Sequence, residues 1–320
     1  MKRVLLTGGG GFVGQWLTRA LIERGDNVTL TGLGSLSDGP AVLTESERRG
    51  VRWVPADMRK QSDVDAMIEG SSADVIFHLA GVAFPPQADR DPASAYDINA
   101  LGVARLLAVV ARRRVAGVAD PVVIVIGSAV QYGTHDAAEM PLTEEATQRA
   151  ATVYAASKAA QEVIALRDYY ASGTRVICTR SFNHSGLGHA AEYLLPSLIR
   201  RARGIRSGES KGLTIGNDVI RDYLHVTDVA AAYLALAEHG QAGEVYNVCS
   251  GTGVSVRQLA TDVLLRAGMT PDISSEASLS RSTDIPVLIG SPAKLVRDTG
   301  WAPRKTHVDI IDDLLNAPTD

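Results

Sequence analysis

"VLLTGGGGFVGQWL", residues 4–17, decides the fold. An apolar run, "RVLLTG", has the look of a buried strand, and "GFVGQWLTRALIERG" carries the apolar spacing of a helix. Between them Gly8, Gly11 and Gly14 form the pattern G-x-x-G-x-x-G. Glycine lets backbone approach a pyrophosphate closely, and a helix N-terminus favours its negative charge. The pattern alone also fits a plain glycine-rich turn. Strand before and helix after supply the context a dinucleotide site requires. Gly8, Gly11, Phe12, Val13 and Gly14 are therefore candidate cofactor residues.

Outward from this stretch, strand-like and helix-like segments alternate. "NVTLTG", "VRWVPAD", "ADVIFHLAG", "PVVIVIGS" and "RVICTRS" are short Val/Ile/Leu-rich runs. "DVDAMIEG", "PASAYDINALGVARLLAVVARRR" and the segment around Tyr154 are helical in pattern. Near-continuous apolar strands separated by amphipathic helices predict an α/β fold, a Rossmann-type doubly wound parallel sheet covered on both faces. The rhythm breaks after Arg180. This predicts a dinucleotide-binding domain over residues 1–180, to which 220–250 returns, and a smaller C-terminal region from 181–219 and 251–320.

The 320 residues are 45% hydrophobic and carry a net charge of −4, so no basic face argues for nucleic acid. "ARRRVAG" (Arg112–Arg114) reads as a solvated helix end. Cys178 and Cys249 sit in apolar runs and read as buried free thiols of a reducing compartment, with no metal-ligand spacing around them. "MKRVLLTGG" reads as a strand entering a turn, not a signal peptide, and no apolar run reaches the ~18 residues of a membrane span. The expectation is a cytoplasmic protein without membrane, nucleic-acid or metal partners.

Asp57 in "PADM" ends a strand and can accept from an adenine amino group or cap the next helix. Ala80 and Gly81 in "FHLAGVA" are small residues where backbone must pass a ligand; His78 reads as a packed core histidine. An NAD-selective site usually carries an acid about 20 residues beyond the glycines, on the ribose 2′-hydroxyl. Gly32 stands there in "TLTGLGSLSDG", no arginine accompanies it, and Ser35 and Ser37 can hydrogen-bond a phosphate. The balance tips to NADP(H) over NAD(H).

In "TVYAASKAAQE" (residues 152–162) Tyr154 and Lys158 are one helical turn apart. A free phenol, with a pKa of ~10, is a poor proton donor near neutrality, and a neighbouring ammonium lowers that value. The expectation is a tuned acid at Tyr154. Ser128, ending "VVIVIGS", is placed to donate a hydrogen bond to the same substrate oxygen.

The run TGGGGFVG, then Ser128, then Tyr154-x-x-x-Lys158 resembles the extended short-chain dehydrogenase/reductase family, in its nucleotide-sugar branch. "RSFNHSGLG", "IRDYLHVTDVAAAY" and "GEVYNVCSG" are similar to the members that reduce GDP-4-keto-6-deoxy-mannose to GDP-rhamnose. The resemblance runs nearly end to end. It implies that Lys158 also holds the nicotinamide ribose, and that Met58, Leu79 and Asn99 join the cofactor site. It implies a nucleotide-sugar substrate, GDP-linked, with its diphosphate on Arg221, Arg281 and Asn183. His184 either orders its loop or joins that site, and Asp228 reads as a helix N-cap. Family dehydratases keep an acid two residues before the Tyr-Gly after Ser128. Here "SAVQYG" has Val130, which cannot transfer a proton and departs from the reductases too, since they often carry an acid there, and Gln131, which is unusual before Tyr132; dehydration is disfavoured, while reduction and epimerisation at C4 both remain open. Reduction at C4 leads; a 4-epimerase with tightly bound NAD and a non-catalytic dinucleotide-binding regulator are the alternatives. The helices around 92–114 and Tyr154 carry enough Ala, Leu and Val to bury a second face, and related enzymes pair them in a homodimer.

Overall fold

The computed structural model describes residues 1–209, 212–279 and 284–317. Seven parallel strands form the main sheet: β1 (Arg3–Thr7), β2 (Asn27–Gly32), β3 (Arg52–Pro55), β4 (Val75–His78), β5 (Val122–Ser128), β6 (Val176–Ser181) and, later in the chain, β10 (Val245–Val248). Their order is β3-β2-β1-β4-β5-β6-β10. The direction of winding reverses between β1 and β4, so a crevice opens at the carboxyl ends of these two strands. The turn after β1 and the segment after β4 meet there.

Alternation along each strand explains the layers. Val4 and Leu6 of β1 join one core with Ile124 of β5, and Leu5 joins the opposite core with Val123 and Val125. One face is covered by α1 (Phe12–Glu23) and α9 (Val226–His239). The other is covered by α3 (Gln61–Ser71), α6 (Gly102–Val115) and α7 (Val153–Ser172), while α2 (Glu45–Arg49), α4 (Pro85–Arg90) and α5 (Pro92–Tyr96) are short. The long helix expected from Pro92 is realised as α5, a π-helical turn over Asp97–Leu101, and α6. This stretch, Pro92–Val115, is long and apolar enough by composition to cross a membrane, which the sequence reading missed. Half of it is buried inside the fold, as a core helix is.

The C-terminal region has its own sheet. β9 (Ile220–His225) pairs with β7 (Asn183–Ser185), β11 (Gly253–Ser255) and β13 (Val287–Leu288). β8 (Leu213–Ile215) pairs with β12 (Ile273–Ser275). A separate apolar core joins α8 (Leu194–Arg206), α10 (Val256–Arg266) and α12 (His307–Leu315), while α11 (Ala293–Thr299) packs under α9. Within residues 220–250, α9 and β10 lie on the main sheet and β9 belongs to the small one.

Asp228 does not cap α9. The cap is His225, whose ring accepts from the Thr227 N–H. The Asp228 carboxylate is buried and accepts from the Arg304 and Lys305 N–H groups at 3.0 and 2.9 Å, pinning a segment 76 residues away.

Candidate active site

The glycine turn is built for close approach. Gly8 has φ +69°, and a Cβ there would stand 2.7 Å from the Ala80 nitrogen. A Cβ at Gly14 would stand 2.6 Å from the Gly8 oxygen. The first turn of α1 has no side-chain cap and no acidic residue, so its N–H groups and dipole remain available to an anion. Backbone cradle and uncapped helix end together fit a dinucleotide pyrophosphate. Phe12 and Val13 open α1 beside it.

The end of β4 closes the other side. Thr7 Oγ1 meets His78 Nδ1 at 2.8 Å and accepts from the Ala80 N–H at 3.2 Å. His78 is buried, and burial, with the Lys158 charge nearby, pulls its pKa down to about 3, so the ring is neutral. Leu79 packs against the α1-side core. Asn99, fully buried in the π turn, spends its amide on Val82 and on Ser157 Oγ, and thereby holds the Gly81–Val82 backbone against α7. Both Asp57 oxygens receive the Arg59 guanidinium, at 2.7–3.1 Å, and the cap of α3 is Lys60 rather than Asp57. Met58 is buried in the core under α6.

A loop over residues 33–43 follows β2 and packs against the glycine turn, with Gly39 beside the Gly10 carbonyl. Gln15 holds it by accepting from the Val42 and Leu43 N–H groups at 3.2 and 3.0 Å. Ser35 and Ser37 bond to each other at 2.8 Å. Asp38, six residues past the strand end at Gly32, folds back to accept from the Ser35 N–H at 2.7 Å.

Ser128, Tyr154 and Lys158 converge at the carboxyl end of β5. The Ser128 hydroxyl lies against the Tyr154 phenol and favours its ionised form. Burial outweighs that effect and pushes the Tyr154 pKa up to about 12. The expected lowering by Lys158 is not found. Lys158 Nζ donates instead to the Ile126 carbonyl and Gln161 Oε1, both at 2.9 Å, and burial draws its own pKa down to about 8. Helical spacing brings the two residues to one face, but the ammonium is spent on the strand beneath.

On the small sheet, Arg221 is half-buried, and burial lowers its pKa. Its NH1 donates to the Ile220 carbonyl at 2.8 Å, and the Tyr223 phenol and Asp284 carboxylate act in the opposite direction, favouring the charged form. Asp222, the neighbour that could have neutralised it, instead accepts from Ser250 and Gly251. Asn183 is exposed and stands opposite Tyr223, so it shares a sheet face with Arg221. His184 Nδ1 bonds to the Phe182 carbonyl and orders its own loop. Arg281 lies outside the described residues.

Two features escaped the sequence reading. Phe12, His189 and Tyr193 stack in a column, at 4.6 and 4.1 Å between neighbouring rings. Glu162, buried beneath Ser128, pairs with Arg180 at 2.7 Å. Glu162 was legible in principle, because it continues the stripe of Tyr154 and Lys158 at steps of four.

Residues 4–249 match the model of the NAD dependent epimerase/dehydratase family. This chain belongs to that family. Like its relatives, this family member is an enzyme of the NAD(P)-dependent oxidoreductase type, in the extended short-chain dehydrogenase/reductase group. It is 33% identical over 307 residues to GDP-6-deoxy-D-mannose reductase of Pseudomonas aeruginosa, covering 95% of this chain and 93% of that one. The structure of RMD from Pseudomonas aeruginosa complexed with NADPH superposes with a TM-score of 0.81 at 30% identity, covering 98% of each chain. UDP-glucose-4-epimerase from Stenotrophomonas maltophila, with bound NAD and formylated UDP-arabinopyranose, superposes with a TM-score of 0.83 at 26% identity, over 98% of this chain and 97% of that one.

Proposed function

We propose that this family member is an NADPH-dependent C4 ketoreductase of a nucleotide-activated 4-keto-6-deoxy sugar, converting GDP-4-keto-6-deoxy-mannose to GDP-rhamnose. The observation that carries this reading is the loop after Ser128. It offers no group able to run a dehydration, while Ser128 at the strand end before it sets its hydroxyl against the Tyr154 phenol. Ala129 and Val130 have no proton to transfer, and the Gln131 amide is engaged with Ser128 and Glu162. Glu162, the carboxylate beneath the loop, is held by Arg180, Gln131 and Gln148.

When bound, the nicotinamide supplies the hydride for C4. Tyr154, with its raised pKa, holds its proton at neutral pH and gives it to O4 as negative charge gathers there. Ser128 donates its single proton to the same oxygen, and the phenolate left on Tyr154 regains its proton from solvent. Lys158, Gly8, Gly11, Phe12, Val13, Gly14, Leu79, Ala80 and Gly81 hold the cofactor; Asp57, Met58 and Asn99 shape the walls. Arg221, with Asn183 and Arg281, receives the substrate diphosphate. A desolvated guanidinium with, among the described residues, only a backbone carbonyl as its hydrogen-bond partner is suited to that anion.

The choice of NADPH rests on Gly32 at the end of β2, on the Ser35 and Ser37 hydroxyls, and on Asp38 being spent within its own loop. It agrees with the NADPH bound by the Pseudomonas RMD. A homodimer through α6 and α7 accounts for the outward stripe of Leu101, Ala108, Val163 and Tyr170, all exposed.

The test is a panel of nucleotide 4-ketosugars with NADPH and NADH at equal concentration, following cofactor oxidation optically and product configuration by NMR. The expected result is net NADPH oxidation with a GDP-4-keto-6-deoxy sugar. Tightly bound NAD and interconversion of C4 epimers without net oxidation would identify a 4-epimerase instead, and NADH preference would reverse the cofactor assignment.

A further inference from the structure

Gln131 breaks the family's sequence pattern, and the proposed chemistry does not use it. We infer that Gln131 is a positioning residue that fixes the Ser128 hydroxyl against Tyr154 by tying the end of β5 to α7. This rests on the reading of Ser128 and Tyr154 as the catalytic pair.

The geometry is a two-way clamp. Gln131 Oε1 accepts from the Ser128 N–H at 2.9 Å. Ser128 is the N-cap of the short turn Ala129–Tyr132 and Gln131 its third residue, the two positions of a capping box. With its N–H held by Gln131, Ser128 is fixed at the end of β5 with its hydroxyl against the phenol. On its far side Gln131 Nε2 donates to Glu162 Oε2 at 3.0 Å. Glu162 lies one helical turn past Lys158 and two past Tyr154, so the same α7 face carries the tether and the proton donor.

Glu162 is itself immobilised. Arg180 of β6 donates to its two oxygens at 2.9 and 2.7 Å, and Gln148 adds a bond at 2.6 Å. Arg180 also lies 4.8 Å over the Tyr132 ring, next in sequence to Gln131. Tyr132 is fixed by a 2.7 Å bond to Asn247. Gln131 has no solvent exposure. The position demands a side chain that accepts from Ser128 and donates to a carboxylate at once. A carboxamide does both, an aliphatic side chain does neither, and an ionised glutamate cannot donate.

The experiment compares wild type with Gln131→Met, Gln131→Glu, Ser128→Ala and the Ser128→Ala/Gln131→Met double variant. Gln131→Met should lower kcat by about 10²-fold, the scale of a small misplacement at a reacting centre, with NADPH affinity unchanged. In the Ser128→Ala background the same change should cost no more than about twofold. Additive losses would overturn the inference, since a merely structural role does not act through the serine. Gln131→Glu should be active at acid pH, where the neutral carboxyl reproduces both hydrogen bonds, and should fail as that carboxyl ionises. A pH profile parallel to wild type would also overturn it. If wild type reduces nothing in the panel, the ketoreductase reading falls by itself. The clamp is then judged by hydrogen exchange at the Ser128 amide, which Gln131→Met should accelerate; unchanged exchange would reject it.

Discussion

Tyr154 holds its proton more tightly here than a free phenol does, because burial costs its charged form more than the Ser128 hydroxyl returns. A donor of this kind is suited to a reaction in which the accepting oxygen becomes strongly basic only as hydride arrives. Tyr154→Phe should therefore lower turnover by about 10²–10⁴-fold, the usual worth of a positioned acid, while NADPH titration shows unaltered affinity. Lys158 poses the converse case. Its folded pKa of about 8 lies below the ordinary 10.5. Below pH 8 the folded and unfolded chains both carry this proton, and the folded state bears the full cost of the buried charge. Between about 8 and 10.5 the unfolded chain holds more protons, so stability rises with pH. The melting temperature of the free wild-type protein should accordingly climb relative to Lys158→Met across that window. A constant difference would contradict the assigned burial of the charge.

At the scale of elements, α1 does two things: its N-terminus faces the proposed phosphate site and its flank carries the 33–43 loop. Gln15 accepts from two N–H groups of that loop, and Arg19 bonds to Glu47 at 2.8 Å. Gln15→Ala should weaken NADPH binding by about tenfold, from one to two lost hydrogen bonds at ~1 kcal/mol each, with kcat at saturating cofactor unchanged. Fluorescence titration of NADPH measures the first quantity and steady-state kinetics the second. Another element junction, Arg180 of β6 with Glu162 of α7, buries both charges at 6% and 5% side-chain exposure. Arg180→Met strands a buried carboxylate and should cost about 3–5 kcal/mol in denaturant unfolding.

These elements also show where sequence reasoning reaches its limit. The glycine turn, the order of apolar strands and the Tyr154–Lys158 spacing are local patterns with local causes, and each was legible. Asp228 misled because the N–H groups it serves are supplied from 304–305, a relation no window around α9 contains. Asp38 was overlooked because a tight turn returns it to Ser35. Lys158 was assigned to the wrong partner because helical spacing gives proximity on a helix face, not the carbonyl of a strand lying beneath. β9 (Ile220–His225) mixes Arg, Asp and His with its apolar residues, and pairing partners distant in sequence put it in the smaller sheet.

For the whole molecule, the winding order places the β1 and β4 ends side by side, and everything proposed about cofactor binding follows from that crevice. Assembly is the remaining large-scale question. Ala108 is exposed on α6 and Val163 is exposed on α7, near the middle of the stripe proposed to meet a second copy. Ala108→Arg should convert a sedimenting dimer to a monomer at micromolar concentration. A wild-type monomer under the same conditions would remove the proposed interface.

β9 ends at His225 and α9 begins at Val226, so the strand that carries Arg221 passes without a linker into a helix packed on the main sheet. The guanidinium and the phenol are thus mounted on one rigid frame, like the two jaws of a caliper. On the proposed reading, the frame measures a span from diphosphate to ketone. Outer loops are then free to diversify for different hexoses, while a donor shortened by one phosphate would leave its carbonyl out of register with the acid.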